Sequence, residues 1–177
     1  MSARTLVYDP EPILRVLVRH GVRFVVIGGI AGTLHGSTSI TYDLDICYSR
    51  EPGNLRSLAA ALQELDAGLR GVDTKAPFKL DARSLRSGLN FTFKTKFGAF
   101  DCLGEASGGF AYEQLKESAE ELGVSGVNIS VASLDDLIRM KRAAGRRKDL
   151  IEVENLAALR AVREGRSDRA SRLSARS

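Results

Sequence analysis

Apolar residues recur along this chain with two periods, and each change of period marks an element. Ile13, Leu14, Leu17 and Val18 stand at helical spacing behind Asp9-Pro10; Asp9 suits the cap, Pro10 the first position and Gly21 the end. The run Phe24-Val25-Val26-Ile27 predicts a buried strand over 23–27, turning at Gly28-Gly29 into a short helix over 29–34. A loop, Gly36-Ser37-Thr38-Ser39, leads to a second strand over 43–48. Pro52-Gly53 breaks that strand, and Leu55, Leu58, Ala59, Leu62 and Leu65 form the stripe of another helix. Residues 68–86 keep no period and predict irregular chain with one short strand at 78–80. Two runs, 89–95 and 99–103, flank Lys96-Phe97-Gly98 and predict a hairpin, followed by a flexible loop at 104–109. A helix is predicted over 112–122 and a short strand over 127–132. Ser133-Leu134-Asp135-Asp136 has capping-box spacing and opens a helix bearing Leu134, Leu137 and Ile138. A further helix is expected over 149–162, and the last dozen residues, rich in Arg and Ser, predict disorder or a helix that orders only on a partner.

The chain has 177 residues, 44% hydrophobic and 27% charged, enough for one sizeable core with at most a small extension. With no Trp and 6% aromatic residues, few side chains are left for base stacking, which argues against a single-stranded nucleic-acid platform. No apolar run approaches the ~20 residues that span a bilayer. The first ten residues lack the apolar stretch of a signal peptide, so a cytoplasmic protein with no membrane partner is expected. Cys47 and Cys102 lie in apolar strand-like runs, which predicts free thiols, and the two cysteines and two histidines have no zinc-ligand spacing. The net charge of +4 is concentrated: residues 160–177 hold six arginines against Glu164 and Asp168, which is the whole excess.

The polar residues that interrupt this pattern carry the chemistry. In a strand, Asp43 and Asp45 point the same way, and two carboxylates side by side repel unless a cation sits between them. Asp101 interrupts a third apolar run, Gly98-Ala99-Phe100-Asp101-Cys102-Leu103. If that strand lies beside 43–48, three carboxylates converge in a setting suited to Mg²⁺ and phosphoryl transfer; the alternative is a hairpin-edge acid facing water. Gly28 and Gly29 would let the backbone approach a triphosphate. Lys141 occupies a position that the stripe of Leu134, Leu137 and Ile138 reserves for the inside, where it needs an anion or must snorkel. Arg146-Arg147-Lys148 reads as a solvated helix–helix turn, and Lys148 would share the Lys141 face only if the helix continued past Gly145. His35 reads as a loop-bonding residue rather than an acid–base group, and Cys47 as an apolar filler beside the acids.

Taken together, these residues resemble the minimal nucleotidyltransferases of the polymerase β superfamily, of the AbiEii/MenT toxin type. The likeness runs through Gly28-Gly29, His35-Gly36, Thr41-Tyr42-Asp43-Leu44-Asp45, Asp101, Lys141 and Lys148-Asp149, in order over about residues 20–155. Ser39 departs from the pattern, since many relatives carry Arg there. The resemblance implies an α+β fold, a nucleotidyltransferase-like mixed sheet flanked by helices, with a core over 1–132, site-completing helices over 133–165 and a basic tail over 166–177. It implies an NTP such as ATP as substrate, with Mg²⁺ or Mn²⁺ on Asp43, Asp45 and Asp101. Gly28, Gly29, Ser37 and Lys141 would bind the nucleotide, and Asp101 would bind metal or act as base. The implied acceptor is the 3′ end of tRNA, in a toxin–antitoxin system with a cognate antitoxin. A non-catalytic antitoxin or regulatory module, a transferase acting on a protein or small molecule, and a purely structural domain are the competing expectations.

Overall fold

The computed structural model describes residues 8–72 and 79–175. Helix α1 (Glu11–Arg19) buries Ile13, Leu14, Val16 and Leu17, and the Asp9 carboxylate accepts from the Glu11 N–H at its start. Strand β1 (Phe24–Ile27) is buried throughout and passes directly into α2 (Gly28–Leu34). Next come β2 (Asp43–Tyr48), α3 (Pro52–Glu64) and the short β3 (Gly68–Leu69). Helix α4 (Ala82–Ser87) precedes the hairpin of β4 (Asn90–Thr95) and β5 (Gly98–Leu103). Two-residue strands β6 (Glu105–Ala106) and β7 (Phe110–Ala111) pair with each other ahead of α5 (Tyr112–Ser118). A second hairpin, β8 (Glu120–Val124) and β9 (Val127–Val131), leads to α6 (Leu134–Ala144) and α7 (Arg147–Ser174).

Among the described residues, seven strands form one sheet in the order β3-β4-β5-β2-β1-β9-β8. It is mixed: β2 runs parallel to β5 and β1 parallel to β9, while β1–β2, β3–β4, β4–β5 and β8–β9 are antiparallel. The expected α+β class, a mixed sheet flanked by helices, is therefore the one found. Val25, Val26, Leu44, Ile46, Phe93, Phe100 and Cys102 are fully buried between the layers. Leu44 and Ile46 alternate with Asp43 and Asp45 along β2, so one face of the strand joins the core and the other presents acids.

The expected helix over 112–122 stops at Ser118, and residues 120–124 form β8 instead. The cause is Ser125-Gly126, both with positive φ, 49° and 83°, a two-residue turn of the kind that joins tightly paired strands. Once that turn forms, Leu122 and Val124 alternate with exposed neighbours against β9. The described part of residues 68–86 is less irregular than expected: it holds β3 and the start of α4, and Asp81 caps α4 by accepting from the Ser84 N–H at 2.8 Å. The expected strand at 78–80 begins outside the described residues, and Lys79 and Leu80 are not in a strand. The loop expected at 104–109 contributes β6 to a small ladder. Helix α7 runs on past residue 162 to Ser174, with every residue from 161 to 175 exposed.

Candidate active site

Strand order and register bring the acids together. Asp45 stands opposite Asp101 across the parallel β2–β5 pair, and Asp43 opposite Ala99. Residues in register on neighbouring strands face the same side of the sheet. Asp43, Asp45 and Asp101 each direct one carboxylate oxygen into a cluster whose members lie within 4.8 Å of one another. The Asp101 side chain is only 16% exposed, so it belongs to this cluster and not to an open sheet edge.

The electrostatics follow from that crowding. Burial, then the charges of Asp43 and Asp101, push the Asp45 carboxyl up to about 7, against the pull of Lys141 and Arg70. Burial also raises Asp101, with Arg70 opposing it and Asp43 adding to it. Among the described residues no hydrogen bond or ion pair ends on the Asp45 carboxylate, while Asp43 accepts from the Thr41 hydroxyl at 3.2 Å. Three converging oxygen ligands of this kind fit a hard divalent cation such as Mg²⁺.

Glycines let the neighbouring chain close on the acids. Gly28 has φ +67°, and a β-carbon there would meet Asp45 Oδ2 at 2.2 Å. A β-carbon on Gly29 would meet the Thr41 side chain at 2.7 Å. Beyond α2, His35 is buried; its Nε2–H donates to the Ala132 carbonyl at 2.7 Å and its Nδ1 accepts from Arg163 at 3.3 Å. Ser37 is buried and donates to Glu152 Oε1 at 2.9 Å, and Ser39 donates to Glu152 Oε2. Ser39, where the resembling family often has Arg, thus serves to pin the loop to α7. Cys47 and Cys102 are free and buried, and burial pushes the Cys47 thiol up to about 12.

Lys141 does point inward from α6, and the protein supplies an anion for it. Asp149 is wholly buried; it accepts from Arg146 Nε at 2.6 Å and lies 3.5 Å from Lys141 Nζ. Burial opposes the Asp149 charge, but the Arg146 hydrogen bond and the Lys141 charge outweigh it and hold the carboxyl below its ordinary range. Gly145, with φ +65°, ends α6, so Lys148 is on a different helix from Lys141. Both nevertheless line one cavity, because the break turns α7 back across the site.

Two cavities share a wall made by Asp45, Lys141, Arg146 and Asp149. The first, about 560 Å³, holds Asp43, Asp101, Thr41, Ser39, Lys148 and Glu152. The second, about 440 Å³, is bounded by Gly28, Asn90, Glu105, Gly108, Leu137 and Met140. Gly28 and Gly29 each line one of them, Lys141 lines both, and Ser37 lines neither. Acids on the sheet therefore face cations from the helices across the first cavity.

This architecture has solved counterparts. The fold is that of the polymerase β-like nucleotidyltransferases. The lincosamide antibiotic adenylyltransferase LnuA, solved with lincomycin bound, aligns with a TM-score of 0.57 at 13% identity, over 84% of this chain and 94% of that one. The antibiotic-resistance factor ANT(2'')-Ia aligns at 0.53 and 16%, over 94% and 95%. A candidate nucleotidyltransferase from Thermotoga maritima aligns at 0.50 and 17%, over 93% and 99%. No protein-family model and no curated protein matches the chain.

Several polar residues at the site carry no periodic signal. Arg70 reaches Asp101 from an aperiodic stretch, Arg146 reads as part of a solvated charge run, and Glu152 is one unmarked acid within the helix expected over 149–162. Asp149 was legible only through the Lys148-Asp149 element of the family resemblance, not as a buried clip between two cations.

Proposed function

We propose that this chain is a metal-dependent nucleotidyltransferase that moves a nucleoside monophosphate from a nucleoside triphosphate to an acceptor hydroxyl. The observation that carries this reading is the convergence of Asp43, Asp45 and Asp101, facing Lys141 and Arg146 across one cavity. Asp43, Asp45 and Asp101 would hold Mg²⁺ or Mn²⁺. Bound there, a divalent cation supplies charge stabilisation at the reacting phosphate and a lower pKa for the attacking hydroxyl.

The chain's own groups provide the rest. Lys141 offers charge-assisted donors to the triphosphate, and Asp149 and Arg146 hold it in place. Gly28 and Gly29 keep side chains away from the phosphates, and Ser37 anchors the loop beside them. A bond forms between the acceptor oxygen and the α-phosphorus as the bond to the bridging oxygen breaks. Pyrophosphate leaves with that electron pair; the acceptor proton passes to water where Asp101 holds metal, and to Asp101 itself where that carboxylate serves as the base instead.

For the acceptor we favour RNA, the 3′ end of tRNA, with the chain acting as an AbiEii/MenT-like toxin in the cytoplasm alongside a cognate antitoxin. The support is the family pattern in the sequence together with the basic α7, which starts at the cavity and extends into solvent. A second reading has a specific observation behind it: the 440 Å³ cavity matches a drug-sized ligand, and the shared fold includes antibiotic adenylyltransferases. Incubation with each α-labelled triphosphate, with total tRNA in one arm and lincomycin or tobramycin in another, tests both. Label on tRNA supports the first, label on an antibiotic the second, and no transfer in either arm, with pyrophosphate release also absent, defeats the enzymatic reading.

A further inference from the structure

Arg70 enters the acidic cluster from outside every element that positions it in sequence. Its backbone N–H donates to the Thr92 carbonyl at 2.9 Å, which fixes it just beyond β3. Thr92 stands opposite Asp101 in the β4–β5 ladder. The side chain therefore crosses the whole width of β4, and a single nitrogen, Nη2, donates to both Asp101 oxygens, at 2.8 and 3.0 Å. Among the described residues no other ion pair reaches Asp43, Asp45 or Asp101.

A metal bound by Asp101 needs at least one of the oxygens that Arg70 occupies. We propose that Arg70 is a resident counter-cation, a positioning residue that holds Asp101 in the metal-free protein and competes with metal for that carboxylate. This rests on the metal-dependent reading above. Two cations cannot share a carboxylate at contact distance without repulsion, so Arg70 weakens the binding of metal alone. Metal that arrives with a triphosphate meets less resistance, because the phosphates give the displaced guanidinium a new anion. The carboxylates are thereby kept from repelling one another while the site awaits its substrate.

Titration calorimetry of the full chain with Mn²⁺ alone tests the proposal in the wild type, Arg70→Gln and Arg70→Lys. Removing the competing charge should tighten Mn²⁺ binding by about fivefold in Arg70→Gln, the upper end for a partly exposed ion pair. Arg70→Lys, which keeps a cation but loses the guanidinium fork, should fall between the two. A merely structural role for Arg70 would loosen the site on mutation, so unchanged or weaker binding in Arg70→Gln overturns the proposal and leaves the metal-dependent reading standing. No Mn²⁺ binding in any of the three proteins overturns both. Should Arg70→Gln fail to fold, the comparison of Arg70→Lys with wild type decides by the same sign.

Discussion

Asp45 Oδ2 lies 2.2 Å from the point where a β-carbon on Gly28 would stand. The Gly-Gly turn and the acidic strand are thus one packing unit, because β1 pairs with β2 and sets Ile27 opposite Asp45. Gly28→Ala is expected to lose stability through both its positive φ and this overlap, by about 1–3 kcal/mol. Gly21 has the same φ of +67° with nothing within 4 Å, so Gly21→Ala is the control that carries the backbone strain alone. Urea denaturation should show the larger loss in Gly28→Ala, and only that variant should lose metal affinity. Equal losses would place the effect in the backbone and not in the Asp45 contact.

The raised Asp45 pKa predicts a pH-dependent stability in the absence of divalent metal. In the unfolded chain an aspartate titrates near ~3.9, whereas in the folded protein Asp45 titrates at about 7. Between those values the folded state holds a proton that the unfolded state has lost, so stability falls as pH rises through the window. The ceiling is about 4 kcal/mol, shared among coupled carboxylates. Denaturation from pH 4.5 to 7.5 should show the decline, Asp45→Asn should flatten it, and saturating Mg²⁺ should reverse it by favouring the ionised form. Asp43→Ala and Asp45→Ala should both abolish transfer without loss of stability; full activity in either would sink their assignment as metal ligands.

Lys141 and Asp149 should separate binding from folding. Lys141→Ala removes a donor facing the cavity while Arg146 still satisfies Asp149, so triphosphate affinity should fall by about 1.5–3 kcal/mol with stability nearly unchanged. Asp149→Asn leaves Arg146 free to turn to water but loosens the start of α7, and should cost about 1–2 kcal/mol of stability. Calorimetry with a nonhydrolysable triphosphate, beside thermal melts, checks the pair. Unchanged affinity in Lys141→Ala would return that lysine to a snorkelling role.

Deleting residues 166–177 removes Arg166, Arg169, Arg172 and Arg176 against Asp168. The described part of this segment is exposed helix, so the deletion should shift stability by less than ~0.5 kcal/mol. If the acceptor is RNA, affinity should fall and its salt dependence flatten, each lost phosphate contact lowering the slope by roughly 0.7–0.9. Triphosphate binding should be spared. Coincident salt slopes for the two proteins would show that α7 is no RNA arm.

Periodicity alone determined most of the elements of this protein and the facing of its acids. Asp43 and Asp45 share a face because a strand repeats every two residues, and Lys141 points inward because it falls on the stripe of Leu134, Leu137 and Ile138. These are local properties of consecutive side chains. What only the tertiary structure decided is which strands become neighbours and in what register. The parallel β2–β5 pairing sets Asp101 opposite Asp45, and nothing in either segment specifies the other as its partner. The helical tendency of residues 120–122 yields to β8 because β9 offers a ladder across the Ser125-Gly126 turn, a non-local gain that local propensity does not contain. Arg70 meets Asp101 across a full strand, and Asp149 becomes a buried anion only when the break at Gly145 folds α7 back on α6. Charges that read as solvated in sequence acquire partners when distant segments are brought to contact distance, where burial strengthens each pair.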